Sequence, residues 1–149
     1  MADLRPILLV EDNPKDLELT LAALAKCQLA NTIVTTRDGA EALDYIYTRG
    51  KYADRADGDP AVVLLDLKLP KVDGLEVLEA LKSNDATRRI PVVMLTSSRE
   101  ERDLVKSYSL GVNSFVVKPV DFNAFFEAIQ DLGMFWAVIN EPPPGGRRG

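Results

Sequence analysis

Three short apolar runs, each cut off at its carboxyl end by polar residues, constrain this chain more than any other feature. PILLV at 6–10 stops at Glu11, AVVLL at 61–65 stops at Asp66, and PVVML at 91–95 stops at Thr96. An unbroken apolar run leaves no face for water, so each reads as a strand buried on both sides, the habit of a parallel sheet. Residues 33–36 and 114–117 (IVTT and SFVV) are weaker, β-branched candidates for two more strands. Helical patterns lie between them. Leu17, Leu21, Leu24 and Cys27 recur at steps of three and four and share one face. Pro14 sits in the first turn of that helix, where its fixed φ is tolerated. Residues 40–47, 75–81, 100–110 and 121 to about 139 continue the pattern. Strand and helix alternating in this way predict a doubly wound α/β fold with right-handed crossovers.

A length of 149 residues with 46% hydrophobic and 28% charged residues suits one compact domain. That domain is expected over residues 1–140, with the EPPPGGRRG of 141–149 a flexible tail that cannot continue a helix. Residues 50–60, GKYADRADGDP, read as a surface loop. The longest apolar stretches, 134–139 and 61–65, fall far short of the ~18 residues that span a bilayer. The amino terminus meets Glu11 and Asp12 too soon for a secretory signal, so residence in the cytoplasm is expected. Histidine is absent and Cys27 is the only cysteine, which excludes internal disulfides, thiolate-rich or histidine-ligated metal sites and the usual catalytic triads. With 18 basic and 23 acidic residues the net charge is −5, so the phosphate backbone of a nucleic acid is repelled and direct DNA binding is not expected.

Ligands of an open parallel sheet bind beyond the carboxyl ends of its strands. Glu11 and Asp12 follow the first expected strand, Asp66 the third, Thr96 and Ser97 the fourth, and Lys118 and Pro119 the fifth. Converging carboxylates repel one another until a cation neutralises them. Oxygen donors without nitrogen or sulfur favour a hard ion, and Mg²⁺ with carboxylates, water and a phosphate fits best. Singly, each residue has a plain structural role: Asp12 or Asn13 as a helix cap, Lys-Pro as a turn, Gly74 as a helix start. The agreement of four strand ends on one chemistry is what carries weight.

The segments ILLVEDNP, VVLLDLKLPKVDGLEVL, IPVVMLTSS and GVNSFVVKP resemble the receiver domains of two-component response regulators, in order and over about residues 6–139. The resemblance implies a flavodoxin-like five-stranded parallel sheet of order 2-1-3-4-5 with helices on both faces. It makes Asp66 the phosphoacceptor, and Glu11, Asp12, Asp66 and the backbone carbonyl of Lys68 the holders of Mg²⁺. Thr96 becomes the switch hydroxyl, and Lys118 the lysine that pairs with the phosphoryl group. Phe115 falls at the aromatic switch position, where only burial or exposure of its ring is available for signalling; its plainer role is in the core. The resemblance also implies a cis Lys118-Pro119 bond, whereas the bare preference of X-Pro is trans. Lys68 and Ser98 fall where the family flanks the attacking water. An ionised aspartate needs no histidine base, and a cation with Lys118 can stabilise charge on a transferring phosphoryl group.

On this likeness the chain is a phosphoacceptor signalling protein rather than an enzyme, apart from its own phosphorylation and slow autodephosphorylation. Its partner is a sensor histidine kinase. The long loop before the third strand and the closing FFEAIQDLGMFWAVI are similar to regulators paired with phytochrome kinases. Two other classes fit less well. An aspartate-nucleophile hydrolase places a second Asp two residues after the first, where this chain has Lys68. A flavin module begins with a phosphate-binding loop, where Glu11-Asp12-Asn13-Pro14 would repel phosphate. Finally, every phenylalanine and Trp136 lie in the last 35 residues. Phe122, Phe125, Ile129, Leu132, Trp136 and Ile139 form one helical stripe, which Phe126, Phe135 and Val138 broaden beyond one sheet face. A homodimer through the last strand and helix is expected, with Phe122, Phe126, Phe135 and Trp136 at the contact.

Overall fold

The computed structural model describes residues 5–27, 29, 31–56, 58–101 and 114–131. The strands are β1 (Ile7–Val10), β2 (Ile33–Thr36), β3 (Val62–Asp66), β4 (Val92–Thr96) and β5 (Ser114–Val117). The helices are α1 (Pro14–Lys26), α2 (Gly39–Ile46), α3 (Gly74–Ser83) and α4 (Phe122–Asp131). All strand pairs are parallel, in the order β2-β1-β3-β4-β5. The three central strands begin one residue later than their apolar runs, and β3 and β4 reach Asp66 and Thr96. Asp66 and Thr96 therefore belong to the strands themselves.

The double winding follows from the side-chain period of two. Ile7, Leu9, Val62, Leu64, Val93 and Leu95 face one way and pack with Leu24 of α1 and Phe125 and Ile129 of α4. Leu8, Val10, Val63, Leu65, Val92 and Met94 face the other way, onto Tyr45 and Ile46 of α2 and Val77, Leu78 and Leu81 of α3. Each of these strand residues is at most 1% exposed. Truncating one of the leucines to alanine should cost about 2–5 kcal/mol.

Local chemistry sets the helix starts. The Asn13 side chain accepts from the Lys15 and Asp16 amides at 2.9 and 3.1 Å, with Pro14 at the first helical position. Asn13, not Asp12, is thus the cap, which leaves the Asp12 carboxylate available to the rim. Asp73 and Glu76 form a reciprocal capping box on α3. The loop expected over residues 50–60 holds more order than its composition suggests. It contains a short 3₁₀ turn, Gly50–Tyr52. The Tyr52 hydroxyl donates to Glu41 at 2.6 Å. Arg55 donates to the Tyr45 carbonyl at 2.9 Å and stacks 4.0 Å over the Tyr45 ring.

Most of the helix expected over 100–110, the last helix beyond 131, Phe135, Trp136 and the 141–149 tail lie outside the described residues. No described helix is long and apolar enough to cross a membrane.

Candidate functional site

The chain leaves β1 towards β2 on one side and later returns as β3 on the other, so the crevice opens at the carboxyl ends of β1 and β3. Register then places the side chains. Val10 pairs with Leu65, so Glu11, one residue on, lies beside Asp66. The Glu11 amide is fixed on the Thr36 carbonyl at 3.0 Å. Thr96 pairs with Val117, and the Lys118 amide donates to the Thr96 carbonyl at 2.7 Å, which brings Lys118 to the same rim.

Lys118 is the hub. Its Nζ lies 2.8 Å from Glu11 Oε1, 3.0 Å from Asp66 Oδ2 and 3.1 Å from Asp16 Oδ2. The Glu11 side chain is fully buried, and those of Asp66 and Lys118 nearly so. Carboxylate oxygens of Glu11, Asp12 and Asp66 all lie within 4.8 Å of one another, with Asp12 the exposed member. Three carboxylates thus meet one ammonium, and a fourth, Asp12, stands beside two of them. Burial, with the Glu11 carboxylate adding to it, pushes the Asp66 carboxyl up to about 7, against the opposing pull of Lys118. Burial alone would lower the Lys118 ammonium, but Glu11, Asp66 and Asp16 outweigh it and raise it above the ordinary lysine value. The lysine therefore stays charged. The excess negative charge and the oxygen-only donor set fit a hard divalent cation.

The Thr96 hydroxyl is buried at the end of β4 and has no hydrogen-bond partner among the described residues. Leaving it so costs about 1–3 kcal/mol, which a new acceptor at the rim would recover. Phe115 is half-buried against the cluster on the α2 and α3 side. The Lys118-Pro119 bond is cis, as the family likeness implies and against the bare preference. Two glycines let the acceptor loop close up. A Cβ on Gly74 would stand 2.3 Å from the Asp66 carbonyl oxygen, and one on Gly39 would stand 1.8 Å from that of Val72.

Two residues of the rim carry little mark of their role in the sequence. Asp16 resembles an ordinary acid in the first turn of a helix, where the macrodipole favours one anyway, yet it reaches Lys118 across 102 residues of chain. Glu101 accepts from the Ser97 amide at 2.8 Å and pairs with Lys68 Nζ at 3.1 Å. A Ser98-x-x-Glu101 spacing, which is a capping-box signature, is the available signal. At α4, Phe125 is buried, whereas Phe122 leaves the expected core stripe and is 40% exposed. It stacks on Phe126, itself 49% exposed, at 5.8 Å between ring centres.

Comparison with known proteins agrees with this geometry. The model of the response regulator receiver domain matches residues 7–130. Response regulator Rcp1 of Synechocystis is 38% identical over 130 residues, covering 87% of this chain and 87% of its own. The bacteriophytochrome response regulator AtBRR superposes with a TM-score of 0.89 at 74% identity, covering 93% of this chain and 99% of that one. The Mn²⁺-bound form of Rcp1 superposes with a TM-score of 0.70 at 38% identity, covering 86% and 91%.

Proposed function

The chain belongs to the response-regulator receiver family and serves two-component signalling as a phosphoacceptor, and on that premise we propose that Asp66 is the residue phosphorylated. One observation carries this: Asp66 ends the central strand as a buried carboxylate, with Lys118 Nζ at 3.0 Å and the Glu11 and Asp12 carboxylates beside it.

Glu11, Asp12, Asp66 and the Lys68 carbonyl would hold Mg²⁺. When bound, that ion supplies positive charge to the transferring phosphoryl oxygens. The Asp66 carboxylate attacks in its ionised form, without a histidine base: its oxygen bonds to the phosphorus as the P–N bond of the kinase phosphohistidine breaks, and the imidazole leaves. Lys118 keeps a permanent positive charge beside the oxygens that develop negative charge. The Thr96 hydroxyl, unpartnered among the described residues before the reaction, donates to a phosphoryl oxygen afterwards, and Phe115, packed one strand over, responds by changing the exposure of its ring. The chemistry ends there, with phosphorylation and slow autodephosphorylation of the chain's own aspartate.

The donor is a sensor histidine kinase, and the similarity to the bacteriophytochrome response regulator AtBRR supports a phytochrome. The module works in the cytoplasm without binding nucleic acid, and it pairs with a second copy through the last strand and helix, where Phe122 and Phe126 stand exposed. Phosphotransfer from purified histidine kinases tests the partner. Fastest transfer from a phytochrome kinase is expected. Faster transfer from an unrelated sensor would assign the chain to another pathway.

A further inference from the structure

Lys118 has three N–H groups to give and faces three carboxylates. Two of them, Glu11 and Asp66, belong to the cation-binding group. The third, Asp16, stands outside that group and on a different element. It sits in the first turn of α1, its amide held at 3.1 Å by the Asn13 side chain, and its Oδ2 accepts a hydrogen bond from Lys118 Nζ at 3.1 Å. The contact ties the start of α1 to the end of β5. It is half-shielded rather than exposed, since the lysine side chain is 13% and the aspartate 35% accessible.

Phosphorylating Asp66 changes the demands on this ammonium. Glu11 and Asp66 would answer to a cation and a phosphoryl group, so the charge that each offers Nζ changes as the reaction proceeds. Asp16 belongs to neither the cation-binding group nor the acceptor, so among the described partners of Nζ it is the one whose charge the reaction leaves unaltered. A lysine stem has four rotatable carbons and no fixed fork, so an ammonium held at only one side is poorly located.

We propose that Asp16 is a positioning residue for Lys118: by occupying one N–H from the α1 side, it fixes the ammonium where the phosphoryl oxygens of Asp66 arrive. This rests on Asp66 being the acceptor, and it adds a residue that acts through Lys118 without touching phosphate or cation.

The test uses the full chain, acetyl phosphate and Mg²⁺. Asp16→Ala should slow phosphorylation by about tenfold, the size expected for one lost charge-assisted hydrogen bond. Asp16→Asn keeps an acceptor oxygen and should recover most of the rate. The Mg²⁺ concentration giving half of the maximal thermal shift should move by less than about twofold in either variant, because Asp16 lies outside the ion's donor set. In a Lys118→Ala background, Asp16→Ala should have no further effect on the rate, as a residue acting only through that lysine requires. An unchanged or faster rate in Asp16→Ala, or an equal loss with and without Lys118, overturns the inference. Failure of the underlying acceptor assignment shows separately, as full phosphorylation of Asp66→Asn.

Discussion

Lys118 Nζ and Glu11 Oε1 lie 2.8 Å apart, joining β5 to β1 across the two strands between them, and the Glu11 side chain is completely buried. A buried carboxylate with one ammonium beside it, and two further acids within reach, is a site whose charge balance depends on proton or cation.

That dependence has a sign. The Asp66 carboxyl rises from 3.8 to about 7 through burial and the Glu11 charge. Between those values the folded chain binds more proton than the unfolded chain, so without divalent ions stability from this group is greatest at the acid end and falls as pH rises through about 7. A divalent cation competes with the same proton. The rise in melting temperature produced by millimolar Mg²⁺ should therefore be large at about pH 8 and shrink towards about pH 5.5. Asp12→Ala should weaken it at every pH. Equal shifts across the range, or none in either protein, would remove the cation from the site.

Lys68 bears on the lifetime of the phosphorylated state. Its ammonium pairs with Glu101 at 3.1 Å at the edge of the acceptor loop, on a side chain that is otherwise exposed, and its long stem lies two residues from the acceptor. Lys68→Ala should shorten the phosphoaspartate half-life by uncovering the path of the attacking water, and Glu101→Gln should do so to a lesser degree. The decay of labelled protein in Mg²⁺ measures both. A half-life unchanged or longer in Lys68→Ala would end the shielding idea.

Gly74 is sterically required. Its α-carbon sits so close to the acceptor strand that an added Cβ meets the Asp66 carbonyl oxygen at 2.3 Å and Leu67 backbone atoms at 2.7 and 2.8 Å. Gly74→Ala must push α3 from the loop and should cost about 1–3 kcal/mol in urea unfolding. Full stability in that variant would mean the loop has slack that the contacts do not show.

Self-association rests on the exposed stack of Phe122 and Phe126. Sedimentation at micromolar concentration should show a dimer that Phe126→Asp weakens, as should Phe135→Asp with Trp136→Asp. A wild-type monomer, phosphorylated or not, would exclude the interface.

The sheet was legible in the sequence because its three central strands are buried on both faces: a run such as VVLL at 62–65 has no polar side to turn to water, and a strand inside a parallel sheet is where so short a run can be buried whole. The rim was legible for a related reason, since each of Glu11, Asp66, Thr96 and Lys118 stands where a buried strand meets the polar end of the sheet. Asp16 was not. Helical acids are common, and only the contact of the first turn of α1 with Lys118, just past β5, distinguishes this one. The ordered Arg55 and Tyr52 contacts in the loop before β3 were equally hidden, because composition reports a loop's polarity and not its partners. Phe122 fits the periodicity of a core position yet is the first residue of α4 and stands 40% exposed.

The central claim is that Asp66 takes the phosphoryl group. Intact-mass measurement after incubation with acetyl phosphate and Mg²⁺ tests it most directly. The wild type should gain one phosphoryl mass that is lost at alkaline pH, and Asp66→Asn should gain none while retaining its fold. A full phosphoryl adduct on Asp66→Asn would place the acceptor elsewhere and contradict the account.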